Sequence, residues 1–125
     1  MGSAHLSLGA QGEKIARLFL QKAGYLILEV NWRGRLGEID LIAEDGDCLV
    51  FIEVKTRSST DSGHPFESIG SRKQRQLIKA ASEYLAKHGY EGRFCRFDAV
   101  SVLHADGIPH LELIKSAFEI DGDNH

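Results

Sequence analysis

Between Gly37 and Arg57 the chain reads GEIDLIAEDGDCLVFIEVKTR, where Glu38, Asp40, Glu53 and Lys55 interrupt two otherwise apolar, β-branched runs. Asp45-Gly46 separates the runs, a dipeptide that favours a type I′ hairpin turn because both of its central residues need φ > 0. With that turn, Glu44 pairs with Asp47, Asp40 with Phe51 and Glu38 with Glu53. Side chains alternate along a strand, so all four charged residues share one face and Asp40 is a diagonal neighbour of Glu53. A one-residue slip would break the arrangement.

Carboxylates on adjacent strands repel, and a divalent cation reverses the sign of that interaction. Mg²⁺ takes hard oxygen ligands from one or two carboxylates, completed by water and substrate phosphate; Mn²⁺ is a workable substitute. In that chemistry Asp40 and Glu53 are the metal ligands, joined by the Ile52 or Val54 carbonyl. Lys55 then orients or activates an attacking water, or meets the charge developing on a phosphate. The plainer alternative is a solvated sheet face on which Lys55 neutralises Glu53. Glu38 is an extra ligand or a structural partner of Arg35.

The elements that must position these residues can be read in order. Apolar spacing predicts a helix over 8–23, ended by Gly24, with Glu13 near its positive end and four residues before Arg17. Taken alone, Glu13 is a helix-stabilising residue. Residues 25–30 read as a strand, and 31–35 bend the chain back. Arg33 and Arg35 in that bend are solvated charges or, flanking Trp32 beside the acidic strand, a grip on phosphate. Arg57 ends the second hairpin strand, and the polar loop 58–67 after it is placed for substrate contacts, with His64 as a surface histidine. Ser71 opens a second helix through a capping box with Gln74, and Gly89 closes it. Arg72, Lys73 and Arg75 crowd its first turn against the helix dipole, which points to an anion there. Residues 93–103 form a strand, 104–109 a turn and 110–114 an edge strand. Asp98 breaks an apolar run, so it needs an arginine or backbone donors.

At 125 residues, with 42% hydrophobic and 26% charged residues, the chain reads as a single domain, residues 1–7 and 119–125 being disordered ends. No apolar run is long enough for a membrane span, and the first residues lack the basic and apolar regions of a secretory signal, so the expectation is cytoplasmic. Cys48 and Cys95 then read as reduced, buried, apolar-like residues. The net charge of −3 does not advertise nucleic acid, yet from Arg72 to Arg96 seven basic residues stand against two acidic ones. The six histidines show no metal-ligand spacing, so zinc has no support. The element order predicts an α/β fold, αβββαββ, with a central mixed five-stranded sheet flanked by helices.

Asp40 followed after a hairpin by Glu53-Val54-Lys55 resembles the D…ExK signature of the restriction-endonuclease-like (PD-(D/E)xK) nucleases. Gly12-Glu13, Asn31-Trp32-Arg33, Gly37 to Ile42, Phe51 to Arg57 and Arg96-Phe97-Asp98 are together similar to the YraN-like family of predicted endonucleases. That family is related in fold to archaeal Holliday-junction resolvases. The resemblance covers about residues 9–118. It implies a metal-dependent DNA endonuclease, acting on branched or junction DNA in recombination or repair, in which Glu13 joins Asp40, Glu53 and Lys55. It also implies that the helix after the ExK strand supplies Gln74 or Lys73. By their placement, Arg33, Arg35, Arg57 and Arg72 are the candidates to face DNA. Glu38 and Asp98 would support the site from behind, and a homodimer would suit paired cuts. The rival reading is a nucleic-acid-binding module, or a component of a larger complex, that keeps the nuclease fold without cleavage.

Overall fold

The computed structural model describes residues 7–58, 69–90, 92–105 and 107–118. Seven elements follow in the expected order: α1 (Leu8–Lys22), β1 (Leu26–Arg33), β2 (Glu38–Asp45), β3 (Cys48–Ser58), α2 (Ser71–His88), β4 (Cys95–Ala105) and β5 (Ile108–Phe118). They build one sheet in the order β1-β2-β3-β4-β5. Neighbours are antiparallel except β3 and β4, which are parallel. Parallel neighbours need a long crossover, and α2 supplies it.

The helices cover opposite faces. Ala16 and Leu20 of α1 pack with Leu41, Ala43, Val50, Ile52, Val100 and Val102. Leu77, Ala80, Ala81 and Tyr84 of α2 pack with Ile39, Ile42, Leu49, Phe51 and Phe97. Alternate residues of β3 therefore feed two cores, which is why that strand is almost continuously apolar until Glu53. Trp32 is a core-rim aromatic, edge-on to Tyr84 at 5.2 Å between ring centres.

Several boundaries differ from the sequence expectation. Asp45 pairs with Cys48, so the turn is Gly46-Asp47 and the register runs through Ile42–Phe51 to Leu41–Ile52. Only Gly46 of the two has positive φ, at +62°, which fits a II′ connection with glycine first. Keeping Asp45 in the strand lets its carboxylate meet Arg96 at 2.8 Å. The register thus moves by two residues, which keeps the parity of the hairpin faces as far as Leu41–Ile52; beyond it alternation slips, so the four charged residues do not share one face through parity. Strand β1 runs on through Asn31-Trp32-Arg33, leaving residues 34–37 as the bend. Gly70 is the N-cap of α2 and no side chain caps it; Ser71 is already helical, so the capping box does not form. β4 and β5 extend past the expected ends because they pair along most of their length. Cys48 is half-buried and Cys95 exposed, both free, rather than two buried residues. Ser7 caps α1 by accepting from Ala10 N–H at 3.1 Å. The rest of the two ends expected to be disordered, and the loop 59–68 with His64, lie outside the described residues.

Asp98 is fully buried and finds the partners its position demanded. Arg96 grips it with Nε to Oδ1 and Nη2 to Oδ2, both at 2.8 Å. The Tyr25 hydroxyl donates to Oδ2 at 2.8 Å and the Ser116 N–H to Oδ1 at 3.0 Å. Burial and the neighbouring carboxylate push the Tyr25 hydroxyl pKa well up, so it stays a donor. This network joins the α1–β1 connection, the end of β2, β4 and β5. Asp98→Ala would strand a half-buried guanidinium whose remaining carboxylate is Asp45. It is expected to cost about 3 kcal/mol in urea unfolding; an unchanged midpoint would show the network to be energetically idle.

Candidate functional site

The hydrogen-bonded pairing of β2 and β3 stops at Leu41–Ile52. Beyond it, Asp40 Oδ2 accepts the Val54 N–H at 2.8 Å, so a side chain provides the acceptor between the two strands. Alternation also slips here: Leu41 packs under α1, whereas Ile39 and Ile42 both pack under α2. Asp40 occupies the slip, from which it is reached from both faces of the sheet.

Glu13 arrives from α1 and comes near enough to Asp40 and to the Asn31 side chain for both to act on its ionisation. Its helix lies close on β3 because Gly12 has no side chain; a Cβ there would run into Thr56. Glu53 points to the α2 side, its side chain 14% exposed, with Lys73 Nζ 3.6 Å from Oε2. Lys55 is near enough to favour the charged form of Glu53. The expected meeting of Glu13, Asp40, Glu53 and Lys55 is therefore present as a neighbourhood, with Lys73 inside it.

Its electrostatics follow from burial. Burial pushes the Glu53 pKa up to about 7, helped by the charge on Asp40 and opposed by Lys73 and Lys55. Burial also raises Asp40, against the pull of the Val54 N–H and Lys73. Glu13 is raised by burial and by Asp40. Two carboxylates brought close together share a proton or bind a cation. Among the described residues, no three His, Cys, Asp or Glu side chains already form a cation cage. Mg²⁺ asks less: one or two carboxylates, with water and phosphate filling the remaining positions, so the donor chemistry of Asp40 and Glu53 fits it.

The other residues singled out in the sequence divide. Glu38 pairs with Arg33 at 3.1 Å, not with Arg35, and both side chains are mostly exposed, so the pair contributes little. Gln74 donates its side-chain amide to the Ile69 carbonyl at 2.8 Å. Arg72 lies exposed in the first turn of α2, and Arg57 pairs with Leu103 near the end of β3. Asp98 sits beside Ile52 in a network of its own on the α1 side, whereas Glu53 faces α2. Glu83 and Asn31 escaped the sequence reading. The Glu83 carboxylate accepts the N–H groups of Arg35 and Leu36, each at 2.9 Å, and ties the arginine-bearing bend to α2. Its only signal was a lone acid on a basic helix.

A family profile described as "Uncharacterised protein family UPF0102" matches residues 12–102. The chain belongs to the UPF0102 family. It is 40% identical over 121 residues to the UPF0102 protein of Anaeromyxobacter dehalogenans, covering 97% of this chain and 90% of that one. The Geobacter metallireducens UPF0102 protein is 46% identical over 114 residues, 91% of this chain and 93% of its own length. That of Geotalea uraniireducens is 47% identical over 115 residues, 91% of each. The stretch matched to the family contains Glu13, Asn31, Asp40, Glu53, Lys55, Lys73 and Asp98. Among the described residues, no helix is long and apolar enough to cross a membrane.

Folded Glu53 keeps its proton to about pH 7, while an unfolded glutamate loses it near 4.5. Between those values the folded state binds more protons, so metal-free stability falls as pH rises, by at most about 3 kcal/mol. Asp40 and Glu13 act in the same direction. Asp45 and Glu83, held low, act in the opposite sense and in a lower window, where stability is lost as pH falls. Glu53→Gln should therefore flatten the decline between about pH 5 and 7.5 in urea titrations. An unchanged slope would remove Glu53 as its source.

Proposed function

We propose that this chain is a metal-dependent phosphodiesterase acting on DNA, with branched or junction DNA as its preferred substrate. The observation that carries the reading is the convergence of Asp40, Glu53 and Glu13 where β2 and β3 part. The D…ExK order and the resemblance to restriction-endonuclease-like nucleases support it. Asp40 and Glu53, completed by Glu13, are the oxygen donors for Mg²⁺ or Mn²⁺, which at such a site polarises a phosphoryl oxygen and acidifies a water.

The chain's own residues divide the remaining work. Lys55, on the strand that carries Glu53, orients the attacking water or meets charge on the scissile phosphate. Lys73 stands 3.6 Å from Glu53 and favours its charged form. With a divalent cation held by Glu53, that ammonium would be free to meet a phosphate. Arg33 and Arg35, in and beside the bend tied down by Glu83, and Arg57 and Arg72 give the flanking positive charge that positions a backbone. Symmetric cutting of a junction would take a second copy of the chain.

The Lys73–Glu53 pair also favours a second reading, because it already offsets part of the acidic repulsion: a nucleic-acid-binding module that keeps the fold without cleaving. Labelled duplex, nicked, flap and four-way DNA, incubated with Mg²⁺ or Mn²⁺, separates the two. The nuclease reading expects product that falls at least about a hundredfold in Asp40→Ala and Glu53→Ala. Binding that survives both substitutions, with no product from the unaltered protein, establishes the module instead.

A further inference from the structure

Asn31 has a left-handed backbone, φ +54°, in the middle of strand β1. Such a conformation is rare for a residue with a Cβ, and strain of this kind persists only where the surroundings enforce it. The surroundings here are specific. The pairs Val30–Leu41 and Trp32–Ile39 bracket it, so Asn31 stands across from Asp40. The strained residue of β1 and the alternation slip of β2 therefore face each other. Helix α1 brings Glu13 to the same point, where the Asn31 side chain is near enough to favour its charged form.

We propose that Asn31 is a positioning residue for the candidate metal centre: its left-handed backbone aims the side-chain amide at Glu13 and holds that carboxylate against Asp40. The proposal rests on the metal-centre reading above and adds to it a residue that touches neither substrate nor cation. The residue type matters. A primary amide donates to a carboxylate without adding charge to an acidic cluster, whereas aspartate offers acceptors only. Asparagine also adopts the left-handed region more readily than most residues. The two requirements, donor and backbone, are met together by asparagine. Gly12 sets the depth of α1 against Thr56; Asn31 then fixes where the next side chain on that helix points.

Three substitutions separate the requirements. Asn31→Gly keeps the backbone and removes the donor; Asn31→Asp keeps the backbone and reverses the donor; Asn31→Ala loses both. Calorimetry with Mg²⁺ or Mn²⁺ alone, on the full chain, should show Asn31→Gly and Asn31→Asp binding metal about tenfold more weakly or worse. Both should melt close to the unaltered protein, and only Asn31→Ala should melt markedly lower. Metal affinity in Asn31→Gly equal to that of the unaltered protein overturns the proposal, since asparagine would then serve the backbone alone. In the metal-free protein, the Asn31 side-chain amide resonances should move when Glu13 is replaced by alanine. Resonances that stay in place overturn it independently of any metal. If the unaltered protein binds no metal that Glu53→Ala abolishes, the metal-centre reading itself falls and this assignment falls with it.

Discussion

The Asp40 carboxylate accepts a backbone N–H from Val54 at the point where the β2–β3 ladder ends. That contact keeps the two strands joined while the next backbone pairs are missing, and it holds a carboxylate in a largely desolvated place. The same geometry puts Glu53 beside it, and the charge on Asp40 makes Glu53 harder to ionise. The candidate site follows from one local decision: a side chain replaces a backbone acceptor between two central strands. A buried carboxylate can take that place because the N–H partly offsets its desolvation.

The rest of the fold brings charge to that point from both sides. The sheet lies between α1 and α2, so a gap between its central strands is open to both helices. Glu13 comes from one face and Lys73 from the other. Away from it, the Arg96–Asp98–Tyr25 network ties the α1–β1 connection, the end of β2, β4 and β5. The two clusters differ in kind. Asp98 has a bidentate guanidinium, a hydroxyl and an N–H, and is satisfied. At Asp40 and Glu53 burial outweighs the donors near them, so both carboxyls are harder to ionise than usual, a balance that a divalent cation would reverse.

The element order and the hairpin were legible because apolar spacing and turn residues are local signals. The nearness of Asp40 and Glu53 was legible from the hairpin, but their single shared face was not, because alternation slips at Asp40 between Ile39 and Leu41. Nor was the register shift, since it turns on Asp45 reaching Arg96 across more than fifty positions of sequence. Ser71 fitted a capping pattern, yet Gly70 took the cap, because a pattern says nothing of which residue the preceding chain leaves extended. Glu38 was placed beside Arg35 by proximity in the strand-and-bend segment, but Arg33 took it once β1 ran on through Asn31. Lys73 was legible as part of an anion-facing first turn, but its pairing with Glu53 was not, since that needs α2 laid against β3. Asn31 and Glu83 carry no sequence signal for their contacts. One depends on a backbone angle, the other on a helix passing beside a bend.

Paramagnetic Mn²⁺ titrated into the isotopically labelled chain tests the central claim most directly. If Asp40, Glu53 and Glu13 form a cation site, amide broadening at low Mn²⁺ should centre on Val54, with Asp40 and Glu13 close behind and Asp98 less affected. The broadening should vanish in Glu53→Gln. Broadening centred on the Glu44–Asp47 turn or spread over the acidic C-terminal residues, and unchanged by that substitution, would contradict the account.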